Sequence, residues 1–347
     1  MGPVKAQYRR RVILWLAACM GMVALVLLAG GYTRLSSSGL SITQWKPVHG
    51  IIPPLNTQDW QEEYKNYRAT PQFRDINSCM QLPEFKVIFW PEYIHRLLGR
   101  ISGLVFFLPF AWFAYKRAIS RRFAARMAGI FALGGLQGVM GWYMVKSGLM
   151  MGPYVSHFRL AAHLALALLI FGLLLWTLLD LLTGRTTGGS SRYPSYKNSP
   201  HLLGITLALF TLLCLQIFYG ALTAGLHGGL IFNTFPTMDG QWIPSDLWAL
   251  TPWWENPFSN ITCVQFIHRF LAMILALATF LWWLKTRAYA MHSLQHAIAI
   301  TVFAQVSLGI VALLNQVPIA LGLLHQFTAL GLFALMLAAL HIMKLKP

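Results

Sequence analysis

Apolar and polar positions alternate along this 347-residue chain in long blocks. Eight apolar blocks reach the roughly 20 residues that a helix needs to cross a bilayer. Short or medium polar segments separate them. The pattern predicts an all-α integral membrane protein with eight transmembrane helices, at approximately residues 12–32, 87–115, 123–143, 154–182, 202–222, 263–284, 294–314 and 319–342.

The second half of the chain repeats the first. The segment EYIHR at residues 92–96 returns 173 residues later as QFIHR at residues 265–269. The motif GGYT, followed by GL, aligns residues 30–40 with the GALT and GL of residues 220–230. In the same way, the pair Gln137 and Gly141 aligns with the pair Gln305 and Gly309. The chain therefore carries an internal repeat.

Each repeat contains four spans, and an even number returns the chain to the side from which it started. The repeats are thus parallel, related by an axis along the membrane normal. We expect two pseudo-symmetric four-helix bundles, an architecture that holds cofactors between facing side chains. The predicted bundles are residues 1–183 and 201–347, joined by a polar linker at residues 184–200 that is rich in Gly, Ser and Thr.

The distribution of charge predicts which way the helices are oriented in the membrane. The chain is 56% hydrophobic and 11% charged, whereas a soluble domain has about 25% charge. Its net charge of +17 comes from basic residues before the first span, after the last, and in alternate loops. The positive-inside rule places these segments and both termini in the cytoplasm. Nine of the ten acidic residues lie on the outer side, with Asp180 the exception.

The same distribution bears on partners and location. No basic patch is interleaved with aromatic residues in a soluble domain, so nucleic-acid binding is not expected. The short basic N-terminus leads directly into a span that is too long for a signal-peptide core, which predicts an uncleaved first helix. It also lacks the character of a transit peptide. These features favour a bacterial cytoplasmic (inner) membrane over an organelle.

Two outer loops, residues 35–86 and 226–262, are long and rich in Trp and Pro. We expect them to pack over the outer ends of the bundles. Residues 60–67 are either a short amphipathic helix at the membrane interface or a polar excursion, and the sequence does not decide. A disulfide between Cys79 and Cys263 is conceivable but not shown by cysteine usage.

Four histidines carry the candidate chemistry. His95, His163, His268 and His325 fall at similar depth in the outer half of the membrane, two in each half of the chain. Neutral imidazole is a common metal ligand, and two imidazoles from facing helices suit the two axial positions of haem iron. The competing interpretation is that these histidines only make hydrogen bonds between helices. Their matched pairing across the repeat favours haem ligation.

One ionisable position distinguishes the two halves. Glu92 lies one helical turn before His95, whereas the matching residue before His268 is Gln265, which cannot exchange a proton. An ionisable group at membrane depth is a functional hypothesis by default. Glu92 would serve proton-coupled chemistry in the first half, or would merely pair with an arginine four residues on. Three arginines lie near the proposed ligands and are either contacts for haem propionates or interfacial anchors: Arg96, Arg100 and Arg269.

Other enzyme classes have no motif here. The chain contains no P-loop, dinucleotide-binding glycine motif, Ser/His/Asp arrangement or CxxC motif. Two rival functions use the residues already named. A di-haem cytochrome that takes electrons from quinol would use the same four histidines, and a proton-coupled transporter would use the histidines with Glu92 as a proton relay.

These motifs together resemble haem A synthase, the membrane oxidoreductase that converts haem O to haem A for cytochrome oxidase. The resemblance covers essentially the whole chain: the turn GGYTRLSSSGL at residues 30–40, SITQWKPVHGIIPP in the first outer loop, EFKVIFWPEYIHRLLGR around His95, HFRLAAH around His163, QFIHR around His268 and LLHQ around His325. It implies that His268 and His325 hold a haem b cofactor. It also implies that His95 and His163 flank haem O, with Glu92 as the catalytic carboxylate.

The resemblance further implies partners and a subclass. Haem O synthase and cytochrome oxidase assembly factors are the expected partners, together with an unidentified electron donor. The first outer loop contains only Cys79, so the chain is similar to the long-loop class of proteobacteria and mitochondria and lacks the cysteine pair found in other members.

Overall fold

The structure is a computed structural model that describes residues 2–45, 49–183, 200–286 and 292–343. Within these ranges, eight helices are long and apolar enough to cross a membrane, which confirms the predicted all-α membrane class. Numbered with the three short outer helices, they are α1 (Arg9–Leu35), α4 (Leu82–Tyr115), α5 (Arg121–Met151), α6 (His157–Leu182), α7 (Pro200–Gly225), α9 (Ile261–Thr286), α10 (His292–Leu314) and α11 (Ile319–Met343); the short ones are α2 (Thr57–Arg68), α3 (Pro71–Asp75) and α8 (Asn256–Ser259).

Two of the helices extend by five or more residues beyond the apolar blocks that predicted them. Helix α4 begins at Leu82 rather than at residue 87, because Glu84 turns back and accepts a hydrogen bond from the Gln81 backbone N–H at 2.7 Å. This side chain satisfies one of the free N–H groups at the helix start. Helix α5 continues to Met151 rather than residue 143 and ends at Gly152. Hydropathy locates the membrane-embedded part of a helix, whereas polar caps locate its ends.

The helices of each half form a closed ring. In the first half, α1 and α5 each pack against both α4 and α6; in the second, α7 and α10 each pack against both α9 and α11. Helices α4 and α6 therefore lie across the ring from one another, as do α9 and α11. The predicted linker at residues 184–200 lies outside the described residues, apart from Pro200, at which α7 begins. The pseudo-symmetry of the halves and the cytoplasmic placement of the termini stay predictions.

The two rings share a broad apolar interface. Helix α6 contacts α7 and α11, and α1 contacts α11. Phe171 and Leu175 of α6 belong to one buried cluster with Phe333 and Met336 of α11. Gly172 of α6 lies at this contact, where a Cβ would stand at van der Waals distance, 3.4 Å, from Phe333. This kind of small-residue contact is typical of helix packing in membranes.

Asp180, the acidic residue that the sequence predicts on the cytoplasmic side, is buried in this interface. Its two carboxylate oxygens lie 2.9 Å from Arg126 Nη1 on α5 and 2.9 Å from His341 Nε2 on α11. His341 is itself fully buried. A buried carboxylate is stable only when it is paired and hydrogen-bonded. Asp180 thus ties the first ring to the second.

The first outer loop contains a helix at the position that the sequence left open. Residues 60–67 lie in α2, which begins after Asn56, whose side chain accepts a hydrogen bond from Asp59 N at 2.8 Å. Trp60 and Tyr67 are buried against aromatic residues of the outer part of α4. As expected, this loop packs over the outer end of its bundle.

All four cysteines are free thiols. Cys79 is exposed in the first outer loop, whereas Cys263 is buried in α9. The conceivable disulfide between them is therefore not formed in the structure.

Candidate functional site

Each candidate histidine of the first half rests against a glycine of a neighbouring helix. A Cβ built on Gly30 of α1 would lie 3.0 Å from His95 Nε2. One built on Gly141 of α5 would lie 3.1 Å from His163 Cε1. Both distances are shorter than the 3.5–4.0 Å at which non-bonded heavy atoms attract best. The imidazoles occupy the space that a side chain at either glycine would need.

The second half repeats this seating. A Cβ on Gly220 of α7 would lie 3.1 Å from His268 Cε1, and one on Gly309 of α10 would lie 2.9 Å from His325 Cε1. The four glycines are those that the internal repeat aligns in sequence. Their alignment therefore reflects one structural requirement, a close approach of a helix backbone to an imidazole.

The two histidines of each half come from helices on opposite sides of their ring. His95 on α4 and His163 on α6 lie close enough to interact electrostatically, and His268 on α9 and His325 on α11 do so as well. All four side chains are half-buried. The structure thus brings together the pairs that the sequence predicted, one pair in each ring.

Three of these imidazoles also contact a glutamine. Each glutamine amide lies beside one ring nitrogen: Gln137 is 3.4 Å from His163 Nε2, Gln305 is 3.2 Å from His325 Nε2, and Gln216 is 3.1 Å from His268 Nδ1. The alignment of the two halves had drawn attention to Gln137 and Gln305, whereas Gln216 was missed. The signal for it is the spacing, since each of the three glutamines precedes a seating glycine by four residues.

The donor set fits haem. His163 and His325 each keep a buried Nδ1 that has no hydrogen-bond partner among the residues described. A ligating imidazole typically offers one ring nitrogen to the metal while a neighbouring group holds the other. His163 and His325 meet both conditions, and with the second imidazole across each four-helix ring they would hold a haem iron. The residues present in both halves are therefore compatible with bis-histidine haem sites.

Glu92 is buried on α4, one turn before His95, and makes several hydrogen bonds. One carboxylate oxygen accepts from Ser41 Oγ at 2.7 Å and from the Ile42 backbone N–H at 2.8 Å. The other oxygen is paired with the guanidinium of Arg96. The pairing with Arg96 considered from the sequence is thus present. In addition, Glu92 binds the start of the first outer loop to α4, a role that the sequence did not reveal.

Gln265, the counterpart of Glu92 in the second half, also binds the outer loop, but it donates hydrogen bonds where Glu92 accepts them. Gln265 is buried and donates its amide N–H groups to the Gly228 and Ile231 carbonyls of the second outer loop. Arg269 donates to Gln265 Oε1 at 3.2 Å and to loop carbonyls, as Arg96 does in the first half. Each half therefore fastens its outer loop at this point, but only the first half does so with a charged carboxylate.

The three candidate arginines lie within α4 and α9, one to five residues after the histidine of the same helix. Arg96 Nη2 donates to the Ile42 carbonyl at 2.7 Å, and Arg269 Nη1 donates to the Thr234 carbonyl at 2.8 Å. Arg96 and Arg100 line a cavity of about 240 Å³ beneath α2. The first contacts of Arg96 and Arg269 are therefore with loop backbone, and contact with haem propionates stays a prediction.

Comparison with known proteins agrees with the motifs. Residues 13–337 match the COX15-CtaA family, described as cytochrome oxidase assembly protein. A protein of Nitrosospira multiformis named heme A synthase is 44% identical over 342 residues, covering 97% of this chain and 94% of that protein. Heme A synthases of Paramagnetospirillum magneticum and Wolbachia pipientis wMel are 45% and 42% identical, covering 96% and 93% of this chain and 93% and 89% of those proteins.

These matches run through both helical rings, so they include all four seated histidines and Glu92. They do not favour the quinol-oxidising cytochrome or the transporter considered from the sequence. They agree with the haem A synthase resemblance that the motifs alone had indicated. The chain therefore belongs to the COX15-CtaA family of cytochrome oxidase assembly proteins.

Proposed function

We propose that this protein is a haem A synthase, an oxidoreductase that converts a peripheral methyl group of haem O to a formyl group and so provides haem A for cytochrome oxidase. One observation carries the proposal beyond family membership. Both rings present a seated imidazole pair, but only the first places a buried carboxylate one turn away. The two sites are built alike but differ in whether a carboxylate stands beside the imidazoles. This difference suits a protein in which one haem is modified and the other is kept.

The division of labour follows from that asymmetry. Residues 1–183 would form the substrate half, in which His95 and His163 position haem O. Residues 201–347 would form the cofactor half, in which His268 and His325 hold haem b. A bound haem b supplies one-electron redox chemistry. The identity of the haem in each half is part of the proposal.

Glu92 would act on the substrate side as the catalytic carboxylate. Its position one turn before His95 puts it on the same face of α4. There it would deliver or accept protons, or stabilise positive charge as the methyl group is oxidised. Arg96, Arg100 and Arg269 follow His95 and His268 on α4 and α9 by one to five residues and would meet the propionates.

The surroundings of the enzyme follow from its expected topology. We place it in the bacterial cytoplasmic (inner) membrane, with both termini in the cytoplasm and the haem sites in the outer half of the bilayer. Haem O synthase is the expected source of substrate, cytochrome oxidase assembly factors are the expected recipients, and an electron donor completes the reaction.

The test compares two variants of one hydrogen-bonded group. Glu92→Gln copies the residue of the second half and removes the ionisable group. Ser41→Ala removes one hydrogen bond to the same carboxylate and leaves the charge. With haem O synthase present, Glu92→Gln should keep haem b, accumulate haem O and make at least about 100-fold less haem A, the lower end of what a positioned proton-transfer group contributes. Ser41→Ala should lose much less.

Chromatography of extracted haems gives all three quantities at once. The wild type should yield firmly held haem b with variable haem O or haem A. Equal loss of haem A in both variants would mean that Glu92 acts only by fastening the outer loop. Two identical haems with no haem O or haem A in the wild type would overturn the proposed function itself.

A further inference from the structure

The glutamines beside the imidazoles follow a rule with one exception. Three of the four seating glycines are preceded, one helical turn earlier, by a glutamine that contacts the same imidazole. Residues four apart lie on the same face of a helix, so glycine and glutamine together present a seat and a hydrogen-bonding group to one ring. The three sets are Gln137, Gly141 and His163; Gln216, Gly220 and His268; Gln305, Gly309 and His325.

The exception is at the fourth seat. Val26 stands four residues before Gly30, where α7 has Gln216 before Gly220. Valine offers no hydrogen bond. The His95 ring accordingly makes no hydrogen bond with any described residue, although it rests on Gly30 as closely as the other imidazoles rest on their glycines. His95 is therefore seated against a glycine but, unlike the other three imidazoles, is not fastened by a hydrogen bond to a glutamine.

The amides lie beside the ring nitrogens, where each could serve a metal-bound imidazole. An imidazole that ligates through one nitrogen carries a hydrogen on the other, which then needs an acceptor. The carbonyl oxygens of Gln137, Gln216 and Gln305 have no hydrogen-bond partner in the described part of the chain. The two ends of an amide are assigned from hydrogen bonding rather than observed, and a half-turn of the Gln216 or Gln305 amide directs that oxygen at the ring. Gln137 Nε2 also donates to the His163 backbone carbonyl at 3.1 Å, so a half-turn there exchanges that bond for one to the ring.

Such a hydrogen bond fixes the ring orientation and raises the basicity of the ligand. Its removal typically weakens metal binding or activity by about 10- to 100-fold. Two fastened imidazoles hold both axial positions of an iron. One fastened and one unfastened imidazole leave a position at which a small molecule can compete.

We propose that Val26 is a positioning residue that makes His95 the exchangeable ligand of the substrate haem, while Gln137 keeps His163 firmly bound. The inference rests on the proposed function and adds to it. It assigns the difference between a haem that is worked upon and a haem that is retained to the first helix of each ring as well as to Glu92. It also distinguishes the two imidazoles of the first half, which pairing alone treats as equivalent.

The chain supplies a reciprocal pair of variants. Val26→Gln introduces the missing amide, and Gln216→Val removes its counterpart beside His268. Val26→Leu is the control for added volume without an amide. The probe is carbon monoxide, which competes with an axial imidazole on reduced haem and is followed in the absorption spectrum of the purified protein with both haems bound.

We expect the wild type to bind carbon monoxide at the substrate haem and not at haem b. Val26→Gln should weaken that binding by about tenfold or more, whereas Val26→Leu should not. Gln216→Val should make haem b reactive to carbon monoxide. Wild-type binding in Val26→Gln, or an unreactive haem b in Gln216→Val, would overturn the inference.

The two variants are in different rings, so a folding failure in one leaves the other as a test. The outcome is also separable from that of the proposed function. Carbon monoxide binding reports ligand exchange at whichever haem the first half contains, and extracted haems report whether haem A is made. Normal haem A production with no spectral difference among the variants would refute the role of Val26 and leave the proposed synthase function standing.

Discussion

Replacing Gly220 by alanine tests whether the glycine seats position the imidazoles. The new methyl group would stand 3.1 Å from His268 Cε1 and 3.6 Å from its Nδ1. Since carbon atoms prefer separations of about 3.5–4.0 Å, the ring must retreat by roughly half an ångström. That displacement is comparable to the tolerance of about 0.5 Å within which a functional constellation has to be held.

The effect should be larger on haem binding than on folding. Alanine is favoured over glycine in a helix by about 1 kcal/mol, and modest overpacking costs about 1–3 kcal/mol. These contributions largely offset one another in the stability of the fold. Nothing compensates in the same way for the loss of haem affinity when the His268 ring is displaced. We expect haem b binding to weaken by about tenfold, the lower end of the range for disturbing the surroundings of a metal ligand.

Gly204→Ala is a matched control on the same helix. Gly204 also lies within α7, and nothing in the described structure comes within 4 Å of a Cβ placed there. The assay is haem b per protein together with the absorption spectrum after purification, with His268→Ala as the reference for complete ligand loss. Gly204→Ala should match the wild type. If Gly220→Ala retains haem as well as Gly204→Ala does, the seating argument is wrong.

Two further predictions concern groups away from the imidazoles. Asp180→Ala leaves the fully buried His341 Nε2 without its hydrogen-bond partner and the half-exposed Arg126 without its carboxylate. A buried polar group left unsatisfied costs about 1–3 kcal/mol, so thermal unfolding in detergent should show a lowered midpoint, and an unchanged midpoint would refute the inter-ring tie. Burial and the nearby charge of Arg34 lower the pKa of His227 from 6.5 to about 4, so the folded protein binds fewer protons than the unfolded chain and loses stability as pH falls from about 6.5 to about 4. His227→Asn, which suits the left-handed backbone there (φ 58°), should flatten that dependence, and an equally steep profile would contradict it.

Hydropathy predicted the eight long helices because the free energy of transferring apolar side chains into lipid is large and depends on local sequence. It did not predict where α4 begins or where α5 ends, since caps and turns decide that. The status of residues 60–67 also stayed open, because α2 is polar and becomes a stable helix with Trp60 and Tyr67 buried against α4. A contact with a distant helix is not visible in a local pattern.

The candidate site shows the same division. The repeat identified the four histidines and the difference between Glu92 and Gln265, since both are comparisons of aligned positions. It did not reveal that Glu92 holds the outer loop through Ser41 and Ile42, which requires two segments about 50 residues apart to meet. Nor did it assign Gln216, whose meaning appears only when α7 packs against α9.

The sequence by itself determined the membrane class, the duplicated halves and the residue types available to each half. These follow from the order of apolar and polar residues, because the transfer free energy of each segment depends on its own composition. Only the tertiary structure decided which groups meet. The glycine seats, the glutamine contacts, the unfastened ring of His95 and the tie between Asp180 and His341 all depend on backbones approaching within a few ångströms. Hydrogen bonds and steric contacts act over such distances, and the order of residues alone does not specify them.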